Sequence, residues 1–211
     1  PIAEYFVKEG IAAFVLKYRL PKADIYGHED LTPLRDAQQA IKKLREQGKS
    51  WNIDTAQIGM MGFSAGGGHL VATTGTHFNS LLIPNKENIS VRPNFMILVY
   101  PVISMSDSLG NAKSRMKFLG NNPSEELIRL YSNEWQVTEQ TSPALILHSA
   151  DDKVVKVANC LLFYKALLDH HVPAELHIYP YGGHGGFALN IPKDQWMNLC
   201  VRWIDYIAKK D

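Results

Sequence analysis

The chain has 211 residues, a formal net charge of +1, 45% hydrophobic residues and 20% charged residues. That size suits one domain with room for a small insertion. Its lysines and arginines are scattered, which removes any electrostatic argument for nucleic acid or an anionic membrane surface, and no apolar run approaches the roughly 20 residues that span a bilayer.

Residues 2–10 read as the second half of an amphipathic helix closed by Gly10. The chain, starting at Pro1, thus opens inside an element, and a leader removed in maturation is compatible with that. Residues 11–18 form an apolar run stopped by Pro21 and are expected as a strand. A polar loop follows. Pro33 then stands near the start of a helix in which Leu34, Ala37, Ala40, Ile41 and Leu44 recur at helical spacing up to Gly48.

Residues 57–63 are a further apolar strand, and a helix follows to about Phe78. Between them lies Gly62-Phe63-Ser64-Ala65-Gly66, the pattern Gly-x-Ser-x-Gly. Alone the pattern is weak, because glycine and serine are common in loops and a glycine-rich turn is its plain reading. Between a strand and a helix it says more. A serine on so sharp a turn takes a strained backbone conformation, with its hydroxyl clear of the sheet and the helix N-terminus behind it. Ser64 is therefore the candidate nucleophile.

Residues 94–100 form a buried strand ended by Pro101. From 104 to 141 the pattern weakens, with short helical stretches around 112–119 and 124–130, and the segment reads as a small lid-like insertion near the active-site edge. A strand over 143–148, a helix over 157–169, a strand over 174–179 and a helix over 193–208 follow; the last carries Trp196, Leu199, Cys200, Trp203, Ile204 and Ile207 on one face. Strands and helices alternate, and the strands are apolar runs rather than alternating patterns. The fold class is α/β: a mainly parallel sheet of about five strands with helices on both faces. Cys160 and Cys200 both fall in helices and read as buried free thiols, a single bridge being the alternative.

A serine hydroxyl needs a base within hydrogen-bond reach, and the base needs an orienting acceptor. In an open parallel sheet ligands meet the carboxyl ends of the strands, so the partners are sought just after later strands. His148-Ser149-Ala150-Asp151-Asp152 follows one, and Gly182-Gly183-His184-Gly185-Gly186 follows the next, in the chain order serine, acid, histidine. His184, held among glycines, is the candidate base. Asp151 and Asp152 both compete for the acid, with Asp107 a weaker rival; whichever is not used reads as a loop acceptor. His170 and His171 end a helix, His177 lies within a strand, His77 ends the helix after Ser64, His28 is in an upstream loop, and His148 reads as loop support. No group of His, Cys and carboxylate has ligand-like spacing, so no metal is expected, and no cofactor is implied.

Together these residues resemble the α/β-hydrolase superfamily, and within it the acetyl xylan esterase-like and feruloyl esterase-like carbohydrate esterases related to prolyl oligopeptidases. The matching words are Tyr18-Arg19-Leu20-Pro21, Gly62-Phe63-Ser64-Ala65-Gly66-Gly67, Val99-Tyr100-Pro101, His148-Ser149-Ala150-Asp151-Asp152-Lys153-Val154-Val155 and Gly182-Gly183-His184-Gly185. In that family the acid stands four residues after the histidine that ends its strand, which implies Asp152. The resemblance also implies earlier strands that these residues lack, one of them between 11–18 and 57–63. Those two segments would then close the gap, take a strand from another chain or stay apart, and an exposed edge would invite pairing between copies. A second departure is Gly66-Gly67-Gly68-His69, one glycine more than the family's Gly-Gly-His, which calls for a bulge or a loosened start in the helix.

The implied chemistry is acyl transfer to water by Ser64, His184 and Asp152. The backbone N–H of Ala65 would donate to the oxyanion, and a second donor would lie on a glycine-rich motif upstream of Pro1. Losing one such donor typically costs about 100- to 1000-fold in turnover, so these 211 residues alone are expected to be poor catalysts. A small ester or sugar ester, acetylated or feruloylated, is the substrate implied by the resemblance alone. Tyr100, Tyr181 and Phe187 offer stacking surfaces for a sugar, although aromatic packing at strand ends accounts for them equally well. A prolyl oligopeptidase-like exopeptidase and a non-catalytic ligand-binding hydrolase fold are the rival readings.

Overall fold

The computed structural model describes residues 2–21, 31–185 and 191–209. Its sheet contains β1 (Gly59–Phe63), β2 (Phe95–Val99), β3 (Ala144–Ser149) and β4 (Ala174–Tyr179), in that spatial order and all parallel. The helices are α1 (Ile2–Lys8), α2 (Thr32–Gln47), α3 (Leu70–Thr76), α4 (Ala112–Leu119), α5 (Glu125–Leu130), α6 (Ala158–Asp169) and α7 (Lys193–Ala208). Parallel neighbours need long crossovers, and here the crossovers carry helices.

Side chains alternate across a strand, so consecutive apolar residues in β2 and β3 serve two different cores. Phe95, Ile97, Val99, Leu145 and Leu147 face α1 and α7, where they meet Phe6, Trp196, Cys200, Trp203 and Ile207. Met96, Leu98, Ala144 and Ile146 face α3 and α6, where they meet Val71, Ala72, Cys160, Phe163 and Leu167. Burying one such large side chain contributes about 1.5–3 kcal/mol, which is why the strands could be read as uninterrupted apolar runs. Both cysteines are free and buried in these two cores.

The fifth expected strand differs. Residues 11–18 join no ladder among the described residues, and they do not pair with β1. A strand exists only with a neighbour whose backbone completes its hydrogen bonds, and apolar composition alone cannot supply one. The segment is held instead at its ends and by side chains. Ile11 N–H donates to Phe6 O (2.9 Å), Phe14 stacks on Trp51 with ring centroids 5.5 Å apart, and Arg19 forks onto Asp36 of α2. Phe14 and Val15 are left 57% and 84% exposed.

Residues 104–141 leave the sheet and return. They carry α4 and α5, and Phe118, Leu119 and Tyr131 form a third apolar cluster with Val102, Met105 and Val155. Ala65, next to Ser64, packs against that cluster. No helix among the described residues is long and apolar enough to cross a membrane.

Candidate active site

The site is built at the carboxyl ends of the strands. Phe63 ends β1 in an extended conformation, and Ser64 then takes φ of +55°, the left-handed region that costs an L-residue roughly 1–2 kcal/mol. From Ser64 to His69 the chain winds as a π-helix before α3 begins. The wider π turn takes in one more residue than an α turn, and the third glycine of Gly66-Gly67-Gly68 is that residue. Two of the glycines are required by close approach. A Cβ on Gly62 would lie 2.0 Å from Gly67 O, and one on Gly68 would lie 2.8 Å from Pro101 Cα in the loop leaving β2.

His184 arrives on the loop after β4. Gly183 and Gly185 flank it with φ of +58° and +74°, and Gly183 N–H donates to Asp151 Oδ1 (2.8 Å). Its Nε2 stands 2.7 Å from Ser64 Oγ, and its Nδ1 stands 2.8 Å from Asp152 Oδ2. Asp152 Oδ1 accepts the N–H groups of Val154 (2.8 Å) and Val155 (2.9 Å). Burial by itself would push the Asp152 carboxyl up. The Val155 N–H, His184 and the Val154 N–H together outweigh that and hold it below the ordinary carboxylate value. Asp152 is therefore ionised near neutrality and accepts from His184 Nδ1–H, which leaves the Nε2 lone pair to accept the Ser64 hydroxyl proton.

Of the remaining candidate residues, Asp151 is the loop acceptor that holds Gly183, and Asp107 pairs with Arg115 on the exterior. Tyr100 is 8% exposed, with φ of +40°, and its ring meets the His184 imidazole edge-on at 5.0 Å. Burial, and then the Asp152 charge, raise its hydroxyl pKa. Tyr181 is 78% exposed. Phe187 and His28 lie outside the described residues. Ala65 follows Ser64 in the first turn, where a backbone N–H has no intrahelical acceptor.

Two further neighbours, Tyr18 and His148, stood in the matching words of the sequence, but their places beside the site were not legible there. The Tyr18 hydroxyl reaches over the elbow, where a Cβ on Gly66 would come within 2.5 Å of it. His148, fully buried, stands on the far side of Asp152 with Nε2 3.2 Å from Oδ2 and Nδ1 2.8 Å from Cys160 Sγ. The four-residue spacing of His148 and Asp152 was legible, but not that His148 and His184 face the same Asp152 oxygen.

Behind the elbow lies a buried polar group. His69 Nδ1 accepts from the Asn133 amide (3.2 Å), and Asn133 also ties to Thr73 and Thr76. Burial pushes the His69 imidazole from 6.5 down to about 3, and burial lowers His77 and His148 too. Once unfolded, these imidazoles bind protons below pH 6.5 that the folded protein refuses. The contribution of His69 is therefore fully present above pH 6.5 and is lost as the pH drops toward about 3, and His77 and His148 act in the same direction. The expected slope is up to about 1.4 kcal/mol per pH unit for each histidine. Urea midpoints across this range check it, with His69→Gln expected to flatten the profile; equal slopes in parent and variant would contradict the His69 contribution.

A four-stranded parallel sheet clad by helices, with a serine elbow at one strand end and a histidine and an acid at two later ones, defines an α/β-hydrolase. The chain matches the BD-FAE family over residues 1–167 and belongs to it. It is 39% identical over 188 residues to the acetylxylan esterase of Xylanibacter ruminicola, covering 87% of this chain and 36% of that protein. It is 35% identical over 197 residues to endo-1,4-beta-xylanase B of Butyrivibrio fibrisolvens, covering 92% of this chain and 30% of that protein. The chain thus spans about a third of the length of these relatives. Among solved structures, the acetyl ester-xyloside bifunctional hydrolase of Caldicellulosiruptor lactoaceticus superposes with a TM-score of 0.87 at 39% identity, over 99% of this chain and 76% of that one.

Proposed function

We propose that the chain is a serine carboxylic-ester hydrolase that removes acyl groups, acetyl foremost, from acylated plant polysaccharide or oligosaccharide. The observation that carries the chemistry is the unbroken run of hydrogen bonds from Ser64 through His184 to Asp152, with Ser64 held at φ +55°. Ser64 Oγ attacks the ester carbonyl as His184 Nε2 takes its proton, and Asp152 stabilises the imidazolium. The Ala65 N–H donates to the oxyanion. Collapse of the tetrahedral intermediate breaks the bond to the sugar oxygen, which receives the proton from His184. Water activated by His184 then attacks the acyl-Ser64 ester, releasing the carboxylic acid and restoring the serine. Tyr100 braces the imidazole ring, Tyr181 offers a surface for the sugar, and the lid-like segment over 104–141 walls the site beside Ala65.

The sugar-ester assignment draws on the acetylxylan esterase and acetyl ester-xyloside hydrolase relatives. The test is labelling by a fluorophosphonate probe together with acetate release from acetylated xylan. Labelling at Ser64 with acetate release supports the reading. An unlabelled, folded protein would overturn the nucleophile, and release from a dipeptide nitroanilide without acetate release would replace esterase by exopeptidase.

A further inference from the structure

The hydrogen-bond chain does not stop at Asp152. Oδ2 of Asp152 faces two nitrogens, Nδ1 of His184 at 2.8 Å and Nε2 of His148 at 3.2 Å. The same His148 Nε2 lies 3.0 Å from Val155 O, and Nδ1 on the other side of its ring lies 2.8 Å from Cys160 Sγ. Both groups around Nε2, a carboxylate oxygen and a carbonyl oxygen, can only accept, so Nε2 must carry a hydrogen. The His148 and Asp152 side chains are fully buried, and so is Cys160. Burial, only partly opposed by the Asp152 charge, keeps the His148 imidazole neutral, which leaves Nδ1 a lone pair. Burial, and then the Asp152 charge, raise the Cys160 thiol well above its ordinary value, so it keeps its proton and donates it to Nδ1.

We propose that His148 is a positioning residue for the acid: its Nε2–H clamps the Asp152 oxygen that His184 uses, and the Cys160 thiol on α6 fixes the imidazole tautomer that makes this clamp. The proposal rests on the Ser64, His184 and Asp152 reading above.

The geometry shows why the clamp matters. Oδ1 is tied by two backbone N–H groups, and a tie at Oδ2 fixes the carboxylate at its second oxygen as well, the one that meets His184. His184 sits on a glycine loop and cannot both define the position of Oδ2 and be defined by it. His148, at the end of β3 and walled in by α6, can. Without the thiol, only the two acceptors at Nε2 favour this tautomer, and whenever the proton moves to Nδ1 the Nε2 lone pair faces both of them and the clamp becomes a repulsion. The chain thus runs in one direction: Cys160 S–H to His148, His148 N–H to Asp152, with Asp152 also accepting from His184, which accepts from Ser64.

The test measures kcat and KM on p-nitrophenyl acetate per probe-reactive active site, in the purified protein that carries this chain. His148→Phe, which keeps the ring volume and removes the donor, should lower kcat by about 10- to 100-fold, the usual cost of losing a partner that orients a functional group, with KM unchanged. His148→Gln, whose amide nitrogen can reach the place of Nε2, should recover most of the loss. A role in folding alone would lower yield and unfolding temperature but not kcat per reactive site. His148→Phe with kcat within about twofold of the parent would overturn the proposal, and so would a folded glutamine variant as slow as the phenylalanine one. If His148→Phe does not fold, Cys160→Ser and Cys160→Val decide. Serine keeps a donor and should match the parent, valine removes it and should be slower, and equal rates would overturn the proposal. A parent whose Ser64 takes no probe refutes the triad reading itself, which separates the two failures.

Discussion

Ser64→Ala should lower kcat for an ester substrate by about a million-fold and Asp152→Asn by about ten-thousand-fold, the sizes typical of losing a nucleophile and an acid in such a set. Alanine removes the oxygen that stands 2.7 Å from His184 Nε2, and the glycines and alanine of the elbow carry no side-chain oxygen to replace it. Asparagine at 152 keeps the shape but carries no charge to offset the imidazolium. It also brings an amide N–H to the imidazole, which favours the tautomer with its proton on Nε2, where Ser64 must donate. Asp151→Ala is the internal control. It removes one hydrogen bond, which Asp151 accepts from Gly183 N–H on the exposed side of the loop, worth about 0.5–1.5 kcal/mol, so its effect on kcat should stay within about tenfold. Steady-state rates on p-nitrophenyl acetate, referenced to the same protein without substitution, check all three. A strong effect at Asp151 with a weak one at Asp152 would reverse the assignment of the acid.

The adjacency of Ser64, Asp152 and His184 was legible because each follows a strand, and strands are what a sequence announces most clearly. β4 and α7 agree with their expected bounds at both ends, since period and punctuation coincide there: Pro173 and Pro180 bracket β4, and Pro192 precedes α7. The π turn was legible as one glycine too many for an α turn. Other features depend on who stands opposite. Residues 11–18 have strand composition, but pairing is a property of two segments, and composition names only one. His148 and Cys160 lie 12 residues apart on a strand end and a helix, and only the packing of α6 on β3 brings their side chains together. Tyr100 could be read either as a stacking surface or as packing at a strand end; that its ring meets the His184 imidazole edge-on depends on the loop after β4, which composition does not place.

The crossing of β1 and the π turn supplies the other large effect. Gly62→Ala places a Cβ 2.0 Å from Gly67 O, 2.3 Å from Gly67 C and 2.7 Å from Val71 Cγ2. Two of those atoms are backbone, so no rotamer change relieves the clash, and β1 is held in register with β2 by Gly62 opposite Leu98. The expected loss is at least about 3 kcal/mol, the upper end of overpacking costs, out of a total that for a domain is typically about 5–15 kcal/mol. Gly66→Ala is the contrast. Its Cβ meets the Tyr18 hydroxyl at 2.5 Å and otherwise only that ring at 3.8 Å, and the tip of a half-buried side chain can swing aside. That variant should keep its urea midpoint close to the parent's. The two also divide in activity. In Gly62→Ala any protein that folds must push the π turn away from β1, carrying Ser64 from His184, and a displacement of about 1 Å at reacting atoms costs on the order of 100-fold. Unfolding midpoints and kcat measured on both variants decide the matter, because equal stability in the two would mean that β1 and the turn do not cross as closely as their glycines require.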